Sequence, residues 1–170
     1  VIVGNFSLED AIEVIKEELK DKEESTISKI EHIKEPKKVN EKELVIKENI
    51  EVSKLAFGLK VPIKDIDMKE EELDLYLGMI TNILFGASSE FRERVRKAQL
   101  LNNIYTEWEV LEDYRTFYLM ASTKEPDKLL SEIKDELSSL ALPEKVFKRI
   151  KKVWIANEVK MIDDIDATMY

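Results

Sequence analysis

The fold is decided by the stretch LDLYLGMITNILFGASSEFRERVRKAQLLNNIY, residues 73–105. Leu73, Leu77, Ile80 and Leu84 fall at helical spacing, and Tyr76 and Ile83 widen the stripe, so a largely buried helix is expected. Gly86 is placed to stop it. Ser88 or Ser89 then caps a short basic amphipathic helix, Glu90–Lys97, whose inner face carries Phe91 and Val95. A strand opens at Asn103-Ile104-Tyr105. Chemistry has few other places to sit: the chain has no cysteine, one histidine and no glycine-rich phosphate loop.

Upstream, Leu44, Ile46, Ile50 and Val52 alternate in one parity, and Leu55, Phe57, Leu59 and Val61 in the other. The flip near Ser53 predicts two strands with a bend or bulge between them, ended by Pro62. Val1-Ile2-Val3-Gly4-Asn5-Phe6 reads as a short strand. Ser7 caps a helix bearing Leu8, Ile12, Ile15 and Leu19. Between 21 and 41 the pattern dissolves into Lys, Glu, Ser and Thr with Pro36, a linker of about twenty residues. Downstream, runs at Ile104–Leu111 and Arg115–Ala121 flank the polar turn Glu112-Asp113. Pro126 opens a helix bearing Leu130, Ile133, Leu137 and Leu140. Pro143 opens another with Val146, Phe147, Ile150, Val153 and Trp154. The order is βα, linker, ββααββαα. That is an α+β fold with helices on one face of a mainly antiparallel sheet.

The chain has 170 residues, 37 % charged and 44 % hydrophobic, enough for one domain with or without an appendage. Its net charge of -9 disfavours nucleic acid and anionic membranes as partners. No apolar run reaches the ~18 residues of a membrane span, and no leader pattern opens the chain. With no cysteine, a reducing cytoplasm is the expected setting. A start inside an apolar run, without Met, suggests a piece of a longer polypeptide.

Most polar clusters read as surface. His32 has no second histidine to share a metal with. Carboxylates cluster at 70–72 and at Asp163, Asp164 and Asp166, and the last cluster lacks a calcium-loop spacing and a turning glycine. Glu107 and Glu109 share a strand face opposite Ile104, Thr106 and Trp108, and acid/base work there would need a closed pocket. Ser88-Ser89 has no glycine-serine elbow and no adjacent histidine. The basic cluster Arg92, Arg94, Arg96 and Lys97 stands out in an acidic chain. Arg92 and Arg96, one turn apart, can grip a carboxylate or peptide carbonyl, or pair with neighbouring acids.

At this segment the sequence resembles the insulinase (pitrilysin) family of zinc metallopeptidases, which includes the mitochondrial processing peptidases. The matching residues are Ile83-Leu84-Phe85-Gly86-Ala87-Ser88-Ser89-Glu90-Phe91, then Val95-Arg96, then Ile104-Tyr105. Val1–Phe6 resembles the strand closing that family's first repeat. Residues 21–41 resemble the inter-repeat linker, and Ala56-Phe57-Gly58-Leu59-Lys60-Val61-Pro62 the strand opening the second repeat. The Phe-Gly-x-Ser-Ser form resembles bacterial processing-protease-like members.

The resemblance implies three segments. Residues 1–20 are the βα tail of a preceding repeat, 21–41 the linker, and 42–170 a second-repeat domain cut short at its C-terminus. The family's zinc motif, His-x-x-Glu-His, is absent, so this fragment is expected to be inactive and to hold no metal, zinc belonging to the parent family. The implied role is one wall of a peptide-binding chamber. Its substrate contacts would be Arg96, with Arg92 or Tyr105, while the peptide adds to a sheet edge in the missing repeat. Partners are a peptide or protein substrate, the preceding repeat or a homologous subunit, and a possible homodimer. Asn103 stands where the family's substrate-holding tyrosine is expected, seven residues after Arg96, with Tyr105 two further on. Residues 1–20 are expected to dock on the exposed sheet edge, in cis or swapped between chains. The alternative is a stand-alone α+β interaction or dimerisation module.

Overall fold

A computed structural model describes residues 2–22, 34 and 36–162. The chain divides into two compact units, Val1–Ile33 with Lys152–Tyr170, and Lys34–Lys151. In the first lies α1 (Leu8–Leu19), capped as expected by Ser7, whose Oγ accepts from the Asp10 N–H at 3.1 Å. Its apolar stripe is exposed at Leu8, Ile12, Ile15 and Leu19. The strand expected over residues 1–6 does not form: residues 2–6 are irregular, and Val1 lies outside the described residues.

The second unit holds β1 (Ser53–Pro62), α2 (Glu70–Phe85), α3 (Glu90–Lys97), β2 (Asn103–Val110), β3 (Tyr114–Thr123), α4 (Pro126–Ser139) and the start of α5 (Glu144–Ile162). β3 lies between β1 and β2, antiparallel to both. The fold is α+β, as the paired strands and helices imply. One strand differs. Residues 44–52 form no strand, so β1 starts at Ser53, where the parity flips, and the expected first strand pair is a single strand. Alternation marks a segment that suits a pleat, but it does not make the segment pair, and, among the described residues, 44–52 join neither outer flank of the sheet.

Helices cover one sheet face. Phe117, Leu119 and Ala121 of β3 pack with Leu84 and Phe85 of α2, Phe91 and Val95 of α3, and Leu129 and Ile133 of α4. Phe85 stands edge-on to Phe91 at 5.0 Å and stacks on Phe117 at 5.7 Å. Trp108 lies 5.2 Å from Phe117, and its Nε1–H donates to the Thr81 hydroxyl at 2.8 Å, tying β2 to α2. Two helical stripes hold in part: Leu73, Ile83 and Leu84 of α2 and Ile133 of α4 are buried as expected, but each stripe is wider on one side and fails on the other. α2 buries Met79 and Phe85 and exposes Tyr76; α4 buries Leu129 and exposes Leu140, its C-cap at φ 24°.

Gly86 does stop α2, with φ -62°, so its need is space rather than a left-handed backbone. A Cβ there would collide with the Asn82 carbonyl oxygen of the last turn. Ser89 is the cap of α3, accepting from the Arg92 N–H at 3.1 Å, while Ser88 accepts from Arg149 of α5 at 2.9 Å. Arg115 of β3 is 1 % exposed. Its Nε donates to Asp74 at 2.7 Å, Nη2 to Glu70 at 2.9 Å and Nη1 to the Leu111 carbonyl at 3.1 Å, fastening the start of α2 to the sheet.

Candidate functional site

The three residues singled out from sequence stand in different settings. Arg92 is half-buried, and its Nη2 donates to the Ile104 carbonyl at 3.0 Å, joining α3 to the start of β2. Its Nε is buried with no hydrogen-bond partner among the described residues, and burial lowers the guanidinium pKa from its usual value. Arg96, one turn later, is exposed. Tyr105 is exposed too, on the sheet face away from α3, because Ile104 points into the core and neighbours on a strand alternate. Arg94, the basic residue between them, is committed elsewhere: Nε meets Glu132 at 2.9 Å and Nη2 meets Glu136 at 2.7 Å, clamping α3 to α4. Those hydrogen bonds, Glu136 first, raise its pKa.

Asn103 has a different task from the tyrosine that the spacing brought into comparison. Its Oδ1 accepts from the Ser122 N–H at 3.0 Å, where a ladder carbonyl would otherwise do so, while Ser122 O accepts from the Asn102 N–H at 3.0 Å. The side chain therefore closes the first rung of the β2–β3 pair.

The sheet face opposite the helices is open at its centre. Register places Ala56, Met120 and Tyr105 in one row, Gly58, Tyr118 and Glu107 in the next, and Lys60, Thr116 and Glu109 in a third. Tyr118 and Met120 are exposed. The Tyr118 hydroxyl donates to Glu109 at 2.9 Å. Glu107, first by a hydrogen bond and then by its charge, raises the Tyr105 phenol above its ordinary value. The ends of the face are covered: Lys54 donates to the Ser122 hydroxyl at 2.7 Å, and the Lys60 ammonium lies 4.2 Å from the Tyr114 ring centroid. The face thus has an aromatic middle, carboxylates on the β2 side and ammonium groups on the β1 side. Tyr118 and Met120 were within reach of sequence reasoning, since Phe117 and Leu119 fix the inner parity of β3.

Zinc chemistry does not fit these residues. There is no His-x-x-Glu-His, His32 and the acids at 163, 164 and 166 lie outside the described residues, and the described residues hold no group of three His, Cys, Asp or Glu able to share a metal. Among them, no helix is long and apolar enough to cross a membrane.

The sequence profile described as the peptidase M16 inactive domain matches residues 1–153. The chain belongs to that family. The insulinase-like resemblance read from Phe85-Gly86-Ala87-Ser88-Ser89 and its neighbours is thereby shown, as is the placement in the inactive domain. A protein from Alicyclobacillus acidocaldarius described as an M16-like peptidase has a similar structure, with a TM-score of 0.69 and 16 % identity, over 97 % of this chain. At that identity the likeness speaks for the fold. The chain spans 40 % of that protein's length. No curated protein matches the chain.

Proposed function

We propose that this M16 inactive domain forms a non-catalytic wall of the peptide-binding chamber of an insulinase-like zinc peptidase, or of such an enzyme's inactive partner subunit. The observation that carries the reading is the open, aromatic-centred sheet face opposite the helix layer. A wall needs one side packed and one side free, and a pleated face offers side chains of alternate residues to an extended peptide. In this reading Tyr105 meets peptide on the open face. Arg96 offers a free guanidinium to a backbone carbonyl or carboxylate, and Arg92 sets the position of α3 against β2. A peptide touching both Tyr105 and Arg96 crosses the edge of β2, because the two lie toward opposite faces. Zinc and the bond-breaking groups belong to a preceding repeat or a homologous subunit. The setting is cytoplasmic, which a chain without cysteine suits.

The test is an amide-shift titration of the 170-residue chain with an unstructured peptide. Shifts are expected at Tyr105, Glu107, Tyr118, Met120 and the end of α3, weakened by Tyr105→Ala and by Arg96→Ala. Added zinc should bring no cleavage. Shifts confined to other surfaces, or zinc-dependent hydrolysis, would refute the reading.

A further inference from the structure

The least explained surface of the second unit is the segment before β1. Leu44, Val45 and Ile46 are 71 %, 72 % and 70 % exposed, three consecutive large apolar side chains in backbone that joins no ladder. Contiguous apolar exposure of this kind marks an interaction surface. Their types suit a strand. The flanks are charged in a particular order: Lys42 and Glu43 before, Lys47 and Glu48 after.

We infer that Lys42–Glu48 pairs with the same segment of a second copy of this chain, antiparallel, with Val45 on the two-fold axis. In that register Leu44 faces Ile46, Glu43 faces Lys47 and Lys42 faces Glu48. Each pair occurs twice, because a two-fold contact is isologous. On one face the row is Lys42, Leu44, Ile46, Glu48 against its own reverse, an apolar centre closed by ion pairs. On the other, two valines meet between two Glu–Lys pairs. Cross-strand apolar and opposite-charge pairs are the units that stabilise such a ladder. Neighbouring registers fail. With Leu44 on the axis, Glu43 faces Val45 and Lys42 faces Ile46. With Ile46 on the axis, Leu44 faces Glu48 and Val45 faces Lys47. The half-step registers set Lys42 against Lys47 or Glu43 against Glu48. The charge order selects one pairing, and it selects this same segment as its complement. In a chain of net charge -9, a locally neutral segment adds no repulsion of its own to the contact.

Sedimentation equilibrium of the full chain over a range of concentrations tests the inference. The unaltered chain is expected to dimerise. Glu43→Lys alone sets Lys against Lys twice across the axis, and Lys47→Glu sets Glu against Glu. Each should weaken association on the order of tenfold or more. The double change Glu43→Lys with Lys47→Glu restores both pairs and should recover the dimer. Val45→Lys, which places two ammonium groups on the axis, should abolish it. None of these positions reaches the core, so circular dichroism should be unchanged. A chain that stays monomeric, a dimer indifferent to Val45→Lys, or a double variant no better than the singles would overturn the pairing. So would concentration-independent amide protection at 43–47, which would place the segment on its own chain's sheet.

Discussion

Replacing Asp74 with alanine should destabilise the protein more than replacing Arg115 with methionine, although the two residues share one interaction. The guanidinium is 1 % exposed, while the Asp74 and Glu70 side chains are 43 % and 70 % exposed. The acids can be hydrated if left alone and the base cannot. A guanidinium also has no escape by deprotonation, and the Asp74 hydrogen bond raises its pKa further. Removing one partner of a fully buried pair costs about 3–5 kcal/mol. Here Glu70 and the Leu111 carbonyl still hold the guanidinium and water reaches the vacated side, so about 2 kcal/mol is expected for Asp74→Ala. Arg115→Met removes the buried charge itself, gives up about one hydrogen bond at Leu111, and regains apolar packing, for a net loss of about 0.5–1 kcal/mol. Glu70→Ala touches a mostly hydrated ion pair and should cost about 0.5 kcal/mol. In a chain of this size about 2 kcal/mol corresponds to a fall of roughly 4–8 °C in Tm. Urea unfolding followed by circular dichroism reads the order directly. If Arg115→Met proves as costly as Asp74→Ala, the reasoning from unequal exposure is wrong.

Gly86→Ala, harmless by backbone angle, should cost about 1–3 kcal/mol in the same unfolding assay because its methyl meets Asn82 backbone atoms. Gly58→Ala, whose methyl makes only ordinary contact with the Tyr118 ring at 3.9 Å, should cost much less. Tyr105 should ionise above the ordinary 10.0 in an ultraviolet titration, assigned by difference against Tyr105→Phe, and Glu107→Gln should bring it down. The sign follows from the raised folded value: the stabilisation is full below pH 10.0 and is lost as pH rises through that folded value. A phenol titrating at or below 10.0 would show that Glu107 exerts no such hold.

Where a sequence signal was local, the structure follows it. Ser7 and Ser89 cap their helices, Pro126 starts α4, Gly86 ends α2, and Phe91 and Val95 face inward. Each depends on a few neighbouring residues. The strand expected at 44–52 depended on a partner outside itself, and side-chain alternation cannot report whether one exists. Tyr76 and Leu140 were assigned inward because helical spacing gives a stripe but not its centre. At the candidate site, spacing put Arg92 and Arg96 together as equals. It could not show that Arg92 is occupied by a strand carbonyl while Arg96 is open to solvent, since that depends on how α3 crosses β2. The buried position of Arg115 left no mark in sequence either. A lone arginine in an apolar run becomes legible only when Asp74 and Glu70, more than a full strand away along the chain, are brought to it.

The hydrogen bond from Arg92 to the Ile104 carbonyl also bears on how open the outer flank of β2 is to another strand. The Leu111 N–H bonds Tyr114 O at 3.0 Å, which sets the phase of the ladder. By that phase Tyr105, Glu107 and Glu109 turn their backbone toward β3, while Ile104, Thr106, Trp108 and Val110 present theirs to the outside. A flank of this kind is a template for fibrous growth unless something blunts it. Arg92 occupies its first acceptor with a cation, so a strand creeping along the flank loses its opening rung and meets a charge there. On the far flank Pro62 has no N–H to offer, and Lys54 and Lys60 accompany it. Proline and side-chain charge thus guard this small, open-sided sheet against sideways growth.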